Sequence, residues 1–187
     1  MEQTNTIRQK LSSASKKSLS LLLSLIMLFS VTSAIPITAE AATQNALWFM
    51  DDLKITQVPG GDYSHRGTQN FDVVGVKNNN IKAPFDCKIA KIHKGKAYGN
   101  TVIIESTNKV LYADGTTDYM SMCFAHDNDI SDLSVGKSLK QGQVFYQTGT
   151  YGNVTGRHSH VTVIKGKYKN DMWTKNNYNN YCSPNAI

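Results

Sequence analysis

Turn-forming residues punctuate this chain roughly every ten residues, and the stretches between them are short and rich in β-branched and aromatic side chains. Pro59-Gly60-Gly61-Asp62, Asn78-Asn79-Asn80 and Asp114-Gly115-Thr116-Thr117 are turn clusters. The runs predicted as strands are Phe71–Val76, Cys87–His93, Thr101–Ser106, Asp118–His126, Gln143–Thr148 and His160–Lys165. After the N-terminal region no run holds a 3.6-residue period for more than about two turns, so helix is expected to be scarce. The fold class that follows is mainly β, with antiparallel strands in a sheet or sandwich.

The N-terminus follows different rules. Arg8, Lys10, Lys16 and Lys17 precede an apolar run from Leu19 to Val31, and Ala39-Glu40-Ala41 offers small residues around a cleavage point. Residues 1–41 therefore read as a secretory signal. A retained anchor is the rival reading, but the run is short for a span of about 20 residues and is interrupted by Ser20, Ser24 and Ser30. Residues 42–59 form a lead, 60–167 the domain, and the Asn/Tyr-rich 168–187 a tail expected to pack on it. The exported chain keeps a modest positive excess, which suits retention near a polyanionic cell wall. No basic run is interleaved with aromatics, so nucleic acid is not an expected partner. Stable membrane insertion is not expected after cleavage, and a monomer is expected.

Three cysteines, Cys87, Cys123 and Cys182, lack the spacing of a zinc knuckle. In an exported protein one pair can form a disulfide. Cys123 lies three residues before His126, and that odd separation on a regular strand would put the two on opposite faces, which makes Cys123 a packing residue.

Four of the five histidines can be combined. The glycine-punctuated segment Gly149–His160 delivers His158 and His160 at i and i+2, which point to one face of a strand. His65 precedes Asp72 by seven residues, and His126 ends the run Met122–Ala125. Neutral imidazoles with one carboxylate are zinc-type ligands, leaving a position for water. The fifth, His93, sits at a strand end where a solvent-facing role is expected.

The order of these segments resembles the lysostaphin-type zinc endopeptidases that cut peptidoglycan peptides, whose fold is the duplicated hybrid motif. GTYGNVTGRHSH resembles the family's Gly-rich lead into its His-x-His. Val135–Val144 resembles its Gly-Gln element, and Tyr98-Gly99-Asn100 with Thr101–Ile104 its Tyr-Gly-Asn strand. Ala83–Ile89 resembles its Ala…Asp-Gly strand with Cys87 where glycine is usual, and Cys123–His126 its aromatic-Ala-His. Two departures stand out. The family spaces its first His and Asp four apart, where this chain has Gln69. Asp72 is preferred because it begins a strand, and Arg157 and Ser159 replace commoner Pro and Leu.

The resemblance implies Zn²⁺ bound by His65, Asp72 and His160, with His126 and His158 as catalytic general base and proton donor. Position alone does not choose between His158 and His160 as ligand; the resemblance implies the second. It also implies a secreted, cell-wall-associated endopeptidase acting on stem peptides or cross-bridges of peptidoglycan. The alternative is a catalytically inactive domain of the same fold that binds wall or activates another murein hydrolase. A metal-free carbohydrate-binding β-domain using Tyr98, Tyr119 and Tyr151 leaves the histidines unexplained. The loops Gly149–Arg157 and Asp62–Asn70 are expected to wall the substrate cleft, with Tyr151 and Arg157 contacting peptide.

Overall fold

β-branched and aromatic residues alternate with polar ones through most of the chain after the lead, and the backbone resolves almost entirely into strands. A computed structural model of the protein describes residues 42–169. The expected signal at 1–41, nearly all of the expected tail at 168–187, and Cys182 lie outside the described residues.

Twelve strands occur in order among the described residues: β1 (Gln44–Asn45), β2 (Leu53–Gln57), β3 (Phe71–Gly75), β4 (Asn80–Lys82), β5 (Cys87–Gly95), β6 (Gly99–Ser106), β7 (Val110–Leu111), β8 (Thr117–Asp118), β9 (Met120–Asp127), β10 (Ser138–Leu139), β11 (Val144–Gln147) and β12 (Ser159–Lys165). All six runs predicted from sequence fall on strands, and no helix occurs among the described residues. The main sheet has seven strands in the order β10-β5-β6-β9-β12-β3-β2, and every pairing in it is antiparallel. A two-stranded sheet joins β11 to β4, and a three-stranded one, β1-β7-β8, contains the one parallel pairing among the described residues. The fold is mainly β, as expected.

The core lies against one face of the main sheet. Phe49, Phe71, Ile81, Phe85, Val102, Ile104, Met122, Phe124, Val161 and Val163 are fully buried there. Phe124 from β9 meets Phe49 edge-on at 5.4 Å and Phe145 of β11 at 5.6 Å, so the small β4–β11 sheet covers this face. Every residue of β6 and β9 is buried, which places these strands under cover on both sides. Cys87 belongs to the core, whereas Cys123 points to the other face, two strand spacings away. Two spacings are about 10 Å, beyond the reach of a disulfide, and both thiols are free. Burial pushes the Cys87 thiol up to about 12, helped by the Asp86 charge, and burial alone raises Cys123.

Three register shifts interrupt the main sheet. They leave one extra residue at Thr56 in β2, at Ala90 in β5 and at His126 in β9. Such bulges change which face the following side chains address.

The lead contributes to the core. Phe49 is fully buried, contacts Phe71 at 6.3 Å between ring centroids, and its carbonyl accepts the Lys82 N–H at 2.7 Å. Burial of a phenylalanine ring contributes about 1.5–3 kcal/mol, and its deletion adds the cost of a cavity. Phe49→Ala is therefore expected to lower unfolding free energy by about 3–5 kcal/mol, read from urea denaturation at unchanged slope.

Candidate metal centre and catalytic histidines

On the face opposite the core, cross-strand neighbours line up in a single row. Gln57 of β2 opposes Asp72 of β3, Asp72 opposes His160 of β12, and His160 opposes Ala125 of β9. Ala125 opposes Thr101 of β6, and Thr101 opposes His93 of β5. Directly opposed residues share a face, so this row lays the site across six strands.

Asp72 and His160 meet as such a pair, with His160 Nδ1 3.0 Å from Asp72 Oδ1. His65 arrives from the β2–β3 loop. Its turn is closed by the Thr68 amide and hydroxyl, which both donate to the His65 carbonyl at 2.9 and 3.0 Å. The buried His65 ring places Nε2 3.3 Å from Asp72 Oδ1 and 3.2 Å from His160 Nδ1. These three atoms form a nearly equilateral triangle. Ligands about 2.0–2.1 Å from a tetrahedral zinc lie about 3.3 Å apart, so the triangle has the size of one tetrahedral face. Two imidazole nitrogens and a carboxylate oxygen converging in a buried position could hold a metal ion. Nδ1 of His65 is buried and has no hydrogen-bond partner, so the ring is fixed through Nε2. Gln69, four residues after His65, is exposed, and it is Asp72 that the fold buries beside His65.

Burial alone would raise the Asp72 pKa. Hydrogen bonds from His160 and His65 and their charge outweigh it and hold the carboxyl well below the usual range. Asp72 is an anion at neutral pH.

His126 reaches the same face through strain. It is the bulged residue between Ala125 and Asp127, with φ +83°, a left-handed conformation unusual for a side chain larger than glycine. On a regular strand it would join Phe124 in the core. The bulge turns it out, so the odd separation from Cys123 does not put the two on opposite sides as expected. Tyr146 stabilises the distortion: its hydroxyl donates to the Asn100 carbonyl and accepts the Asp127 N–H at 3.0 Å. Gly149 completes it, since a Cβ there would fall 2.0 Å from the His126 carbonyl oxygen.

His126 and His158 stand 4.7 Å apart between ring centroids, and His126 is 6.4 Å from His160. Each has Nδ1 against a carbonyl, Tyr151 O at 3.1 Å for His126 and Gly156 O at 2.9 Å for His158. A carbonyl only accepts, so Nδ1–H donates in both and Nε2 carries the lone pair. His158 Nε2 lies 3.7 Å from Asp72 Oδ2. Burial lowers the His126 pKa, and the nearby His158 and His160 lower it further. The Tyr151 carbonyl and Asp72 oppose the shift without reversing it. His126 is thereby kept neutral at neutral pH.

The structure brings His65, Asp72, His126, His158 and His160 together. Tyr98 stacks against His126 at 6.4 Å and leans on His160 at 6.0 Å. Beside His160 a cavity of about 310 Å³ opens along the sheet, with Tyr98, Ile103 and Cys123 among its lining residues. Of the two loops expected to wall a cleft, 62–70 contributes Asn70. The other braces the site from behind: Arg157 Nη1 donates to the Thr148 carbonyl at 2.7 Å, and neither Tyr151 nor Arg157 lines the cavity. The sheet face itself forms the floor. His93, expected only to face solvent, stands at the cavity rim.

The family model for peptidase family M23 matches residues 64–172. The chain belongs to peptidase family M23. Morphogenesis protein 1 of Bacillus phage B103 is 35% identical over 142 residues, covering 74% of this chain and 38% of the phage protein. The chain thus spans well under half the length of that curated relative. In fold it is similar to the antimicrobial peptidase lysostaphin from Staphylococcus simulans, with TM-score 0.52 and 18% identity over 79% of this chain and 52% of that one. LytU gives TM-score 0.51 and 22% identity over 73% of this chain and 84% of that one.

The M23 match begins at Ser64 and leaves out Gln57, which the sequence reading also passed over. Gln57 Nε2 donates to Asp72 Oδ2 at 2.9 Å, while its Oε1 accepts from the Ser64 amide at 3.2 Å and hydroxyl at 3.0 Å. One amide therefore ties Asp72 to the residue preceding His65. The Leu-Lys-Ile-Thr-Gln alternation just before Pro59 was a usable strand signal, but the bulge at Thr56 that aims Gln57 leaves no local trace. Outer-sphere partners of this kind typically change metal affinity about 10- to 100-fold. Gln57→Ala in this M23 protein is expected to weaken divalent-metal retention by about that factor, measured by competition with a chromophoric chelator, with the far-ultraviolet dichroism unchanged.

Proposed function

We propose that this M23 protein is a zinc-dependent endopeptidase that is secreted and hydrolyses amide bonds in peptidoglycan stem peptides or cross-bridges. The observation that carries this reading is the 3.0–3.3 Å triangle of His65, Asp72 and His160 with two further imidazoles beside it. In this reading His65 Nε2, Asp72 Oδ1 and His160 Nδ1 hold the ion. Zinc in such a position lowers the pKa of a water and polarises a carbonyl.

The chain's own groups do the rest. Asp72 contributes a full negative charge to the ligand set and is kept in orientation by Gln57. His126 and His158 each present an unprotonated Nε2, because Nδ1 is committed to a backbone carbonyl. One takes a proton from the attacking water, and that same proton is handed on through the other to the leaving amine. An imidazole with a pKa near neutrality serves both roles. Tyr98 lies against His126 and His160. A non-catalytic domain of this fold would have no need of the strained His126 conformation, which costs about 1–3 kcal/mol to maintain.

Two sets of variants test the roles. His160→Ala is expected to lose bound metal and hydrolysis together, whereas Gln69→Ala keeps its metal, by elemental analysis of the purified protein and mass spectrometry of digested peptidoglycan. Metal found at wild-type level in His160→Ala would remove His160 from the ligand set.

His126→Ala and His158→Ala are expected to keep the metal while losing about 100- to 10,000-fold in rate. Metal loss in either would move that residue from proton transfer to ligation.

A further inference from the structure

The face of the main sheet that carries His160 is built in rows of opposed residues, two positions apart along the strands. Thr101, Ala125 and His160 form one row, and Ile103, Cys123 and Thr162 the next. These six residues floor the cavity beside His160. His93 on β5 stands at one side of it. Asn70, which accepts from Thr162 Oγ1 at 2.8 Å, stands at the other, so the cavity runs with the strands. The third row, Glu105, Ser121 and Ile164, continues the same face but does not line the cavity. Ser121 and Ile164 are wholly buried and Glu105 is nearly so, which means that this row is covered.

Part of that cover is the chain that leaves β12. Gly166 takes φ +98°, a conformation that suits glycine, and its N–H donates to the Tyr119 carbonyl at 2.6 Å. Its own carbonyl accepts from Ser121 Oγ at 2.9 Å, which draws the chain onto the site face over β9. Two residues later the Tyr168 N–H donates to Glu105 Oε2 at 2.9 Å, above β6. Residues 166–168 thus cross the sheet as a strap, and Tyr168 lines the cavity. Glu105 holds the strap down. A carboxylate with 7% exposure needs donors, and its two oxygens are answered by Lys88 Nζ at 3.4 Å and by the strap N–H.

We propose that Tyr168 is a specificity-determining residue that ends the cavity and limits the peptide arm on one side of the cut bond to about three residues. This rests on the hydrolase reading of the centre at His160. The strapped row lies four strand residues beyond the row of His160, or about 13 Å at 3.3 Å each. An extended arm spans that distance in about four residues, and the Tyr168 side chain occupies the last part of it. The strap stands on one side of His160 only, so the restriction falls on one arm of the substrate. Glu105 is the positioning residue for this wall.

Peptide hydroxamates test the wall without turnover, because the hydroxamate seeks the metal whichever amide is the natural target. Two alanine ladders of one to six residues are compared. One carries the hydroxamate at its C-terminus and the other on an N-terminal succinyl group, so the arms leave the metal in opposite directions. Binding to the metal-loaded full-length protein is read by calorimetry. In one ladder affinity is expected to hold to about three residues and then fall about ten-fold or more, the scale on which a pocket discriminates by size. The other ladder is expected to show no step. Tyr168→Ala is expected to move the step to longer arms, whereas Tyr168→Phe, which keeps the ring, leaves it in place. Glu105→Gln, which withdraws the charge that holds the strap, is expected to shrink it.

Smooth behaviour of both ladders in the wild type, or a step that stays where it is in Tyr168→Ala, would overturn the proposal. A movable step in a protein that releases no peptide from peptidoglycan would sink the hydrolase reading and leave Tyr168 as the wall of a peptide-binding cleft. Peptidoglycan cleavage with no step would sink this inference alone. Failure of every hydroxamate to bind would sink both.

Discussion

A carboxylate taken out of water must be answered by donors or positive charge, and Asp72, 4% exposed, is the group that the rest of the site is built to answer. His160 comes to it by strand register, His65 by a loop folded back from β2, and Gln57 from an edge strand that the M23 match does not reach. Each approaches along a different part of the chain, so satisfying one charge closes the β2–β3–β12 end of the sheet. Removing one partner of a buried charged group typically costs about 3–5 kcal/mol. The candidate ligand group and the integrity of this end of the fold are therefore the same set of contacts.

Much of this was legible in the sequence because period-two patterning is a direct consequence of strand geometry. The six predicted strand runs and the same-face placement of His158 and His160 follow from it. What stayed hidden is where the period breaks. Thr56, Ala90 and His126 are ordinary residues in ordinary strand-like runs, and the extra residue at each is defined only by the partner strand. The expectation for Cys123 and His126 failed for that reason: the alternation argument is sound for a regular ladder, and the ladder is irregular at His126. The core role of Phe49 in the lead was equally invisible locally, because it has no periodic neighbours and is placed by the aromatic cluster of Phe71 and Phe124.

The Gly149–Arg157 loop has a structural task that the motif reading did not foresee. Its glycines are needed, but for the approach of backbone to backbone. Cβ atoms at Gly149 and Gly152 would collide with the His126 carbonyl and the Gly99 amide. The loop carries the Tyr151 and Gly156 carbonyls that fix both imidazole tautomers. Its backbone orients the two histidines from behind.

Each of the three bulges amounts to one residue of chain, and that makes this sheet behave like a two-letter reading frame. Were Ala90 to pair regularly instead of bulging, Lys91 would turn towards the core and Ile92 out to the cavity, because every later side chain in the strand would change sides. Exchanging one side chain alters a single position on the face, whereas forcing a bulged residue into the regular ladder rewrites a whole stripe of it. A single bulge thus decides both what lines the cavity and what enters the core along the rest of its strand.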